Sequence, residues 1–382
     1  MDYLRDSPVF IAGQPLSGTS QLASVFDAHP ELVTYPEETN FFRRYLPKAT
    51  GKSQIEKLVL SDQYLTHIFE WNRANPPAHQ AGFLDRDYLH ISVSRVRQAV
   101  KQLVTNQFRH DGDMLSAVIL AYGQVTGQIT PSTEHWVDKT RYNEFYADKI
   151  FTWWPAALMV HIVRDPRDIF ASYRRRHANW APDAYALNWV RSTQAGLDNL
   201  ARYGKEHYWL LSYEDLVNTP EEELSQLFQF LRITDDPSLR RLTRDVRSVT
   251  GSLAPEDRVS PAVTPMDRWR EALSREDVIA LELVAAPVMR RVGYTLSGQM
   301  SSLGKQDRVR LILRLLALSL EAKSAQDHLF IRAGMAVITD PSRIDTIEVP
   351  PATAAQSRWR LLLAGQNISR LLIALFKEIF SK

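Results

Sequence analysis

Residues 9–20 read VFIAGQPLSGTS, and this stretch carries the strongest indication of the fold. Its first four residues, 9–12, are a continuous apolar run, which is typical of a buried parallel strand. A loop framed by Gly13 and Gly18 follows, and the apolar side chains of residues 22–26 then recur at helical spacing. The backbone N–H groups of such a loop and of a helix N terminus bind anions. The stretch therefore predicts a strand, a phosphate-binding loop and a helix in succession.

Two further apolar runs, residues 158–163 and 208–211, also predict buried strands, and a charged turn and a helical pattern follow each of them. A repeated order of strand, turn and helix is the signature of a parallel α/β sheet. Residues 54–128 read mostly as helix, and we expect them to form a cap inserted into the sheet domain. The predicted fold class is thus α/β, with a P-loop-like parallel β-sheet flanked by helices, a helical cap and a helical C-terminal extension.

The C-terminal segment, residues 297–382, differs in composition from residues 1–296, which we assign to the α/β domain. It contains 12 basic and 7 acidic residues, and its net charge is therefore +5. Two amphipathic helix patterns, residues 309–321 and 358–380, are separated by a turn-rich stretch. Because an amphipathic helix has to cover its apolar face, we expect residues 300–382 to contact their own domain, a twin subunit or a membrane surface.

The composition excludes several classes of protein. The chain has 382 residues, of which 45% are apolar, enough for a large core. Its 46 basic and 44 acidic residues give a net charge of +2, which argues against a wholesale nucleic-acid binder. Cysteine is absent, so disulfides and cysteine-ligated metals are excluded, and a cytoplasmic location is expected. No apolar run reaches the roughly 18 residues needed to span a bilayer. We expect a soluble protein, or one peripheral at a membrane.

The glycine-framed loop indicates what kind of phosphate it binds. Its spacing matches the phosphate loop G-x-x-x-x-G-K-[ST], except that Thr19 stands where that pattern has lysine. The lysine reaches the β- and γ-phosphates of a triphosphate, so its absence favours a single 5′-phosphate bearing a small group. The loop residues that we assign to phosphate binding are Gly13, Gln14, Pro15, Ser17, Gly18, Thr19 and Ser20.

A second phosphate-binding motif begins at the end of the strand predicted at residues 158–163. Arg164 ends that strand, and Ser172 and Arg176 follow on the next predicted helix. Because they are four residues apart, Ser172 and Arg176 share one helix face. Two guanidinium groups and a hydroxyl suit a dianionic phosphate held by bidentate hydrogen bonds.

Both motifs resemble those of the superfamily of sulfotransferases that use 3′-phosphoadenosine 5′-phosphosulfate (PAPS), and within it the tyrosylprotein-type and related bacterial branch. The family's loop reads G-x-P-R-S-G-T-[ST], followed by D-x-H-P and a glutamate, and residues 13–20, 27–30 and 36–39 are similar to these patterns. The family's R-D-P-R-x-x-x-x-S-x-x-x-R, which grips the 3′-phosphate of the donor, matches residues 164–176. The resemblance extends over residues 8–296. It implies PAPS as the donor, 3′-phosphoadenosine 5′-phosphate (PAP) as the product, and no metal.

The resemblance also implies roles for individual residues. Glu38 aligns with the family's catalytic glutamate, which accepts the proton of the acceptor, and Glu37 is the alternative. Lys139, in the sequence DKT, is similar to the lysine that stabilises the leaving group. Tyr213, in the sequence YEDLV, resembles the tyrosine that contacts the nucleoside, although an aromatic core residue at a strand end is an equal interpretation.

Two positions depart from the family pattern. The family has arginine or lysine, which neutralises the transferring sulfuryl group, where this chain has Leu16. It has proline at the position of Arg141.

The function implied is transfer of the sulfuryl group of PAPS to a hydroxyl or amine acceptor. The acceptor is a small molecule, carbohydrate, lipid or peptide, and no nucleic acid is expected to bind. One alternative is a nucleotide-binding protein of the same fold without catalysis, which Leu16 favours. The other is a kinase with a degenerate phosphate loop, which requires Mg²⁺.

Overall fold

The computed structural model describes residues 2–67, 69–70, 91–106, 108–176, 179–239, 266–350 and 357–380. The chain forms two compact units. The first comprises Met1–Arg164 and Ala195–Thr264, and the second comprises Asp165–Gln194 and Pro265–Lys382. The domain boundary expected at residue 297 and the cap expected at residues 54–128 stay predictions.

The first unit is built on a five-stranded sheet in the order β2-β3-β1-β4-β5, and every neighbouring pair of strands is parallel. The strands are β1 (Pro8–Gly13), β2 (Leu32–Thr34), β3 (His135–Lys139), β4 (Leu158–Val163) and β5 (Tyr208–Ser212). β1 is the central strand, and its Val9 is in register with Val137 of β3 and Leu158 of β4. All six residues of β1 and of β4 are buried, which agrees with the continuous apolar runs of their sequences.

The predicted fold class is confirmed, since a parallel sheet is combined with many helices. The helices up to residue 231 are α1 (Asp2–Arg5), α2 (Thr19–Asp27), α3 (Leu46–Ala49), α4 (Gln54–Ser61), α5 (Val93–Asn106), α6 (Gly112–Thr126), α7 (Ala147–Trp153), α8 (Pro166–Arg176), α9 (Pro182–Tyr203), α10 (Tyr213–Asn218) and α11 (Pro220–Leu231). Single π turns at Phe41–Tyr45 and Asp62–Thr66 adjoin α3 and α4, and a 3₁₀ turn at Asn143–Tyr146 precedes α7.

Beyond residue 231, the described part of the chain contains α12 (Trp269–Ala272), α13 (Arg275–Arg291), α14 (Lys305–Glu321), α15 (Ala325–Thr339) and α16 (Arg360–Phe380), with 3₁₀ turns at Gln299–Ser302 and Pro341–Asp345. The two amphipathic helices predicted in the C-terminal segment correspond to α14 and α16. The stretch between them was expected to be turn-rich, and this expectation is wrong for Ala325–Thr339, which form α15. Ser324 and Asp327 form a capping box that starts α15.

An aromatic cluster fills the core of the first unit. The ring of Phe10 lies 5.6 Å from the rings of Trp136 and Trp154, with the Trp136 ring edge-on. α6 contributes twelve consecutive buried residues, from Gly112 to Gly123. This packing holds β1 rigidly up to the glycine with which it ends.

The second unit contains a buried ionic network around Arg167. Its guanidinium pairs with Glu282 at 2.8 Å and with Asp165 at 2.6 Å, and it lies 4.1 Å above the ring of Trp269. Burial raises the pKa of Glu282, although hydrogen bonds from Ser297 and the charge of Arg167 oppose this shift. The network fixes α13 to the start of α8.

Candidate active site

The loop between β1 and α2 leads into the N terminus of α2. Gly18 is the N-cap residue, and within the described residues no side chain caps α2 and no acidic residue lies in its first turn. The first N–H groups of the helix therefore remain suited to an anion. Gly18 has a φ of +104°, and a Cβ built there would lie 2.7 Å from Cε2 of Tyr213. Only glycine fits this position without a shift of the ring.

Hydrogen bonds inside the loop fix its shape. The backbone N–H and the hydroxyl of Ser17 both donate to the carbonyl oxygen of Gln14, at 3.1 and 2.7 Å. The N–H of Gly13 donates to the buried carboxylate of Glu144 at 3.2 Å. Leu16, which stands at the tip, has a left-handed φ of +67°. The loop is thus closed by its own hydrogen bonds, and the hydroxyl proton of Ser17 is used within it.

Arg164 and Tyr213 form one side of this loop. Nη1 of Arg164 donates to the carbonyl oxygen of Leu16 at 3.0 Å, and its guanidinium lies 4.3 Å from the centre of the Tyr213 ring. The ring of Tyr213 is buried against Gly18. Arg164 at the end of β4 and Tyr213 at the start of α10 are therefore both brought to the phosphate loop.

The two predicted catalytic residues lie together beside the same loop. Nζ of Lys139 is 3.6 Å from Oε1 of Glu38 and 3.4 Å from the hydroxyl oxygen of Ser20, the second residue of α2. Nε of Arg141 donates to Glu38 at 2.9 Å. The Glu38 and Lys139 side chains are 15% and 12% exposed, whereas that of Arg141 is 42% exposed. Glu38 is thus paired with Lys139, which is largely buried, and with Arg141, which is more exposed.

A buried carboxylate beneath this pair was not identified as functional from the sequence. Asp138 accepts hydrogen bonds from the hydroxyls of Thr39 and Thr140, at 2.9 and 3.1 Å, and from the amide of Asn143 at 2.9 Å. Burial raises the pKa of Asp138, while these three hydrogen bonds act to lower it. Thr39 directly follows Glu38, and Thr140 directly follows Lys139. By accepting hydrogen bonds from both threonine hydroxyls, Asp138 links the two segments that carry the catalytic candidates. No local pattern in the sequence indicates this role, because the Thr39 partner of Asp138 lies 99 residues away in the chain.

Comparison with known proteins decides the family. The model of the sulfotransferase family matches residues 8–237, which is more than half of the chain. The chain belongs to the sulfotransferase family. The family predicted from the motifs is thereby confirmed, and the protein is a transferase. Protein-tyrosine sulfotransferase A of Caenorhabditis elegans is 24% identical over 357 residues, covering 90% of this chain and 80% of the relative.

Solved sulfotransferase structures are also similar to this sulfotransferase. The sulfotransferase domain of the Synechococcus PCC 7002 olefin synthase is 21% identical, with a TM-score of 0.42, and the match covers 73% of this chain and 94% of that domain. A sulfotransferase from Mycobacterium avium is 13% identical, also with a TM-score of 0.42, and the match covers 76% of this chain and 78% of the Mycobacterium avium chain.

A basic cavity of about 630 Å³ lies in the first unit of this sulfotransferase. It is lined by Arg43, Arg44, Pro47, Lys48, Gln63, Tyr64 and His67. Arg43 is also 5.5 Å from the centre of the Tyr142 ring, and the hydroxyl of Tyr142 donates to Oε1 of Gln14 at 3.3 Å. Burial and then the charge of Arg44 lower the pKa of His67. Arg43 of this cavity and Gln14 of the phosphate loop therefore both contact Tyr142.

The other residues of the second motif belong to α8, in the second unit. The hydroxyl of Ser172 donates to the carbonyl oxygen of Asp168 at 3.1 Å. The side chain of Arg176 lies outside the described part of the chain. The convergence of these two residues with Arg164 on one phosphate stays a prediction. In the ranges that the structure describes, no group of three or more His, Asp or Glu side chains could hold a metal ion.

Proposed function

We propose that this sulfotransferase transfers the sulfuryl group of PAPS to an acceptor hydroxyl. The observation that carries the proposal is the position of Lys139, whose Nζ is within 3.6 Å of Glu38 and 3.4 Å of Ser20. A cation and a carboxylate therefore adjoin an uncapped helix N terminus. The reaction requires in-line placement of an anionic donor, a positive charge that stabilises the leaving group, and a base that accepts the proton of the acceptor.

The donor is assigned to the loop and to Arg164. The N–H groups at the start of α2 would receive the 5′-phosphosulfate, because an anion is favoured there by the orphan N–H groups and by the helix dipole. Arg164, Ser172 and Arg176 would bind the 3′-phosphate, and Tyr213 would contact the nucleoside. The stacking of Arg164 on Tyr213 at 4.3 Å supports this assignment, since one aromatic ring orients the guanidinium.

The transfer step is assigned to Glu38 and Lys139. The acceptor oxygen bonds to sulfur while the bond from sulfur to the 5′-phosphate oxygen breaks, and PAP leaves with that electron pair. The acceptor proton passes to Glu38, and the ammonium of Lys139 neutralises the charge on the leaving oxygen. An acceptor hydroxyl can reach Glu38 only by sharing its carboxylate with Arg141 or Lys139. The greater exposure of Arg141 makes it the partner that gives way.

Several kinds of acceptor fit the proposed reaction. The name of the Caenorhabditis elegans relative refers to protein tyrosine, and a tyrosine hydroxyl is accordingly one candidate. Small-molecule, carbohydrate and lipid hydroxyls, and amines, are the others. The cavity lined by Arg43, Arg44 and Lys48 favours an acceptor that carries an anionic group near its hydroxyl. A cytoplasmic location, and contact of residues 300–382 with a twin subunit or a membrane, are part of the same proposal.

The proposal is tested by incubating the protein with PAPS, a metal chelator and a panel of hydroxyl acceptors, and by measuring PAP formation. We expect PAP to form only with an acceptor, and Glu38→Gln to abolish it. Binding of PAP by calorimetry without any PAP formation would instead identify a donor-binding protein without catalysis. Turnover of ATP that requires Mg²⁺ would identify the kinase alternative. Absence of PAP binding in the presence and absence of Mg²⁺ would refute the donor assignment.

A further inference from the structure

The last helix, α16, is attached to the second unit by one narrow face. Leu363, Asn367 and Leu371 are the buried residues of this helix. The amide of Asn367 donates to the carbonyl oxygen of His328 in α15 at 2.8 Å, and Nε of Arg332 donates to its Oδ1 at 3.2 Å. Because the buried amide of Asn367 has two specific hydrogen-bond partners, only one orientation of the helix about its own axis satisfies both bonds. The orientation of α16 is therefore fixed.

The opposite face of α16 is apolar and exposed, and we call its seven large side chains the outward face. They are Leu361, Leu362, Leu372, Ile373, Phe376, Ile379 and Phe380, and they are between 49% and 78% exposed. At 3.6 residues per turn, all seven lie on the half of the helix away from Asn367. A contiguous apolar surface of this kind on a folded protein marks a contact with a partner or a membrane.

The charges beside the outward face are basic. Arg370 and Lys377 are exposed and seven residues apart, so they lie along one edge of it. The only acidic residue within α16, Glu378, forms an ion pair with Arg308 of α14 at 3.5 Å. Arg332 of α15 is a further basic residue near this edge, and burial and then the charge of Arg370 lower its pKa. An anionic surface is complementary to this edge.

These charges favour a lipid surface over a second copy of the chain. Arg370 is the midpoint of α16, so a two-fold pairing of outward faces centred on the helix would place Arg370 of both copies along the same edge of the contact, and the acidic residue of α16, Glu378, is already paired with Arg308. An anionic bilayer supplies apolar depth and phosphate charge together. Trp359, 59% exposed just before α16, is typical of the membrane interface. No described helix is long and apolar enough to cross a membrane.

We propose that α16 lies in the plane of an anionic phospholipid bilayer, with its outward face between the acyl chains and Arg370 and Lys377 on lipid phosphates. The buried face of the helix stays on the second unit, so no unfolding is required for docking. A membrane surface was one of the three partners expected for residues 300–382, and the proposal assigns this contact to the outward face of α16.

The proposal is tested by flotation of the full-length chain with vesicles of phosphatidylcholine alone and with vesicles that also contain phosphatidylserine. We expect flotation with the phosphatidylserine vesicles, weakened by added salt. The double variant Leu372→Gln/Phe376→Gln should bind at least about a hundredfold more weakly, since each side chain contributes about tenfold or more. The matched control is Ile55→Gln/Val59→Gln on α4, whose two side chains are also exposed and apolar. It should bind as the wild type does.

A charge variant provides a second test that leaves the apolar face intact. Arg370→Glu/Lys377→Glu should weaken binding to phosphatidylserine vesicles by about tenfold or more, and Lys101→Glu/Lys205→Glu should not. Unchanged thermal unfolding of the variants shows that they are folded. The proposal is overturned if the wild type does not float with anionic vesicles, or if neither outward-face variant weakens binding. It is also overturned if light scattering shows a dimer that Leu372→Gln/Phe376→Gln converts to monomer without vesicle binding. The assay contains neither donor nor acceptor, so its result is independent of the proposed reaction.

Discussion

Arg164→Ala should weaken binding of PAP strongly while the fold is kept. The guanidinium lies 4.3 Å above Tyr213 and donates to the carbonyl oxygen of Leu16 at 3.0 Å, so it is oriented before the donor binds. Removing one partner of a close charged pair costs about 2–5 kcal/mol when the other partner is left unpaired. Because about 1.4 kcal/mol corresponds to a tenfold change, the Kd should rise by roughly 30-fold to several thousandfold.

The same substitution should cost some stability in the absence of ligand. The lost hydrogen bond to the loop contributes about 1 kcal/mol, and the cation–π contact contributes about 0.5–2 kcal/mol. Arg164→Lys separates the two effects, because it keeps the charge and loses the planar fork. We expect its affinity for PAP to lie between those of the wild type and Arg164→Ala.

Calorimetry with PAP in the presence of a chelator measures these affinities. Arg202→Ala is the matched control, since this arginine of the first unit is exposed and its ion pair is with the exposed Asp148. Its affinity for PAP should equal that of the wild type. An unchanged Kd for Arg164→Ala would refute the assignment of this arginine to the donor.

Three further substitutions test the loop and the catalytic pair. Glu38→Gln should leave PAP affinity unchanged and lower single-turnover transfer by about 10²–10⁴-fold; near-normal transfer would move the role of base to Glu37 or to no residue. Leu16→Arg should raise the transfer rate or the affinity for PAPS, because it adds a cation beside the sulfuryl group, whereas loss of binding would mean that the site is adapted to leucine. Gly18→Ala should lower thermal stability by about 1–2 kcal/mol and weaken PAP binding, since φ is +104° and the ring of Tyr213 must move; unchanged melting and calorimetry would contradict this.

The strands that could be predicted are those with continuous apolar runs. β1, β4 and β5 are of this kind. β2 has only three residues, and β3 begins with His135 and ends with Asp138 and Lys139, so neither stands out by hydropathy. Asp138 can be buried in β3 because Thr39, Thr140 and Asn143 supply its hydrogen bonds. One of those partners lies about a hundred residues away in the chain, and sequence patterns do not show such a pairing.

The same limit applies to the site and to α15. The phosphate loop consists of consecutive residues, 13–20, so its glycines could be recognised in the sequence as part of a phosphate-binding loop. The ion pair between Arg141 and Glu38 joins residues 103 apart, and only the fold shows it. In α15, a Cβ built at Gly334 would lie 3.1 Å from the carbonyl oxygen of Leu283 in α13. That glycine permits close helix packing, an effect that is set by the neighbouring helix and not by local propensity.

The central position of β1 has a consequence for biosynthesis. Pro8 is in register with Trp136, and Val9 with Leu158, so both neighbours of this strand emerge from the ribosome about 130–150 residues after it. At about 5–20 residues per second, the nascent strand waits from several seconds to roughly half a minute for its first partner. Throughout that interval an apolar strand with unpaired N–H and C=O groups on both sides is open to intermolecular pairing. Chain release before residue 135 should therefore yield aggregating fragments, and chaperone capture of the nascent chain should be greatest before β3 has been synthesised.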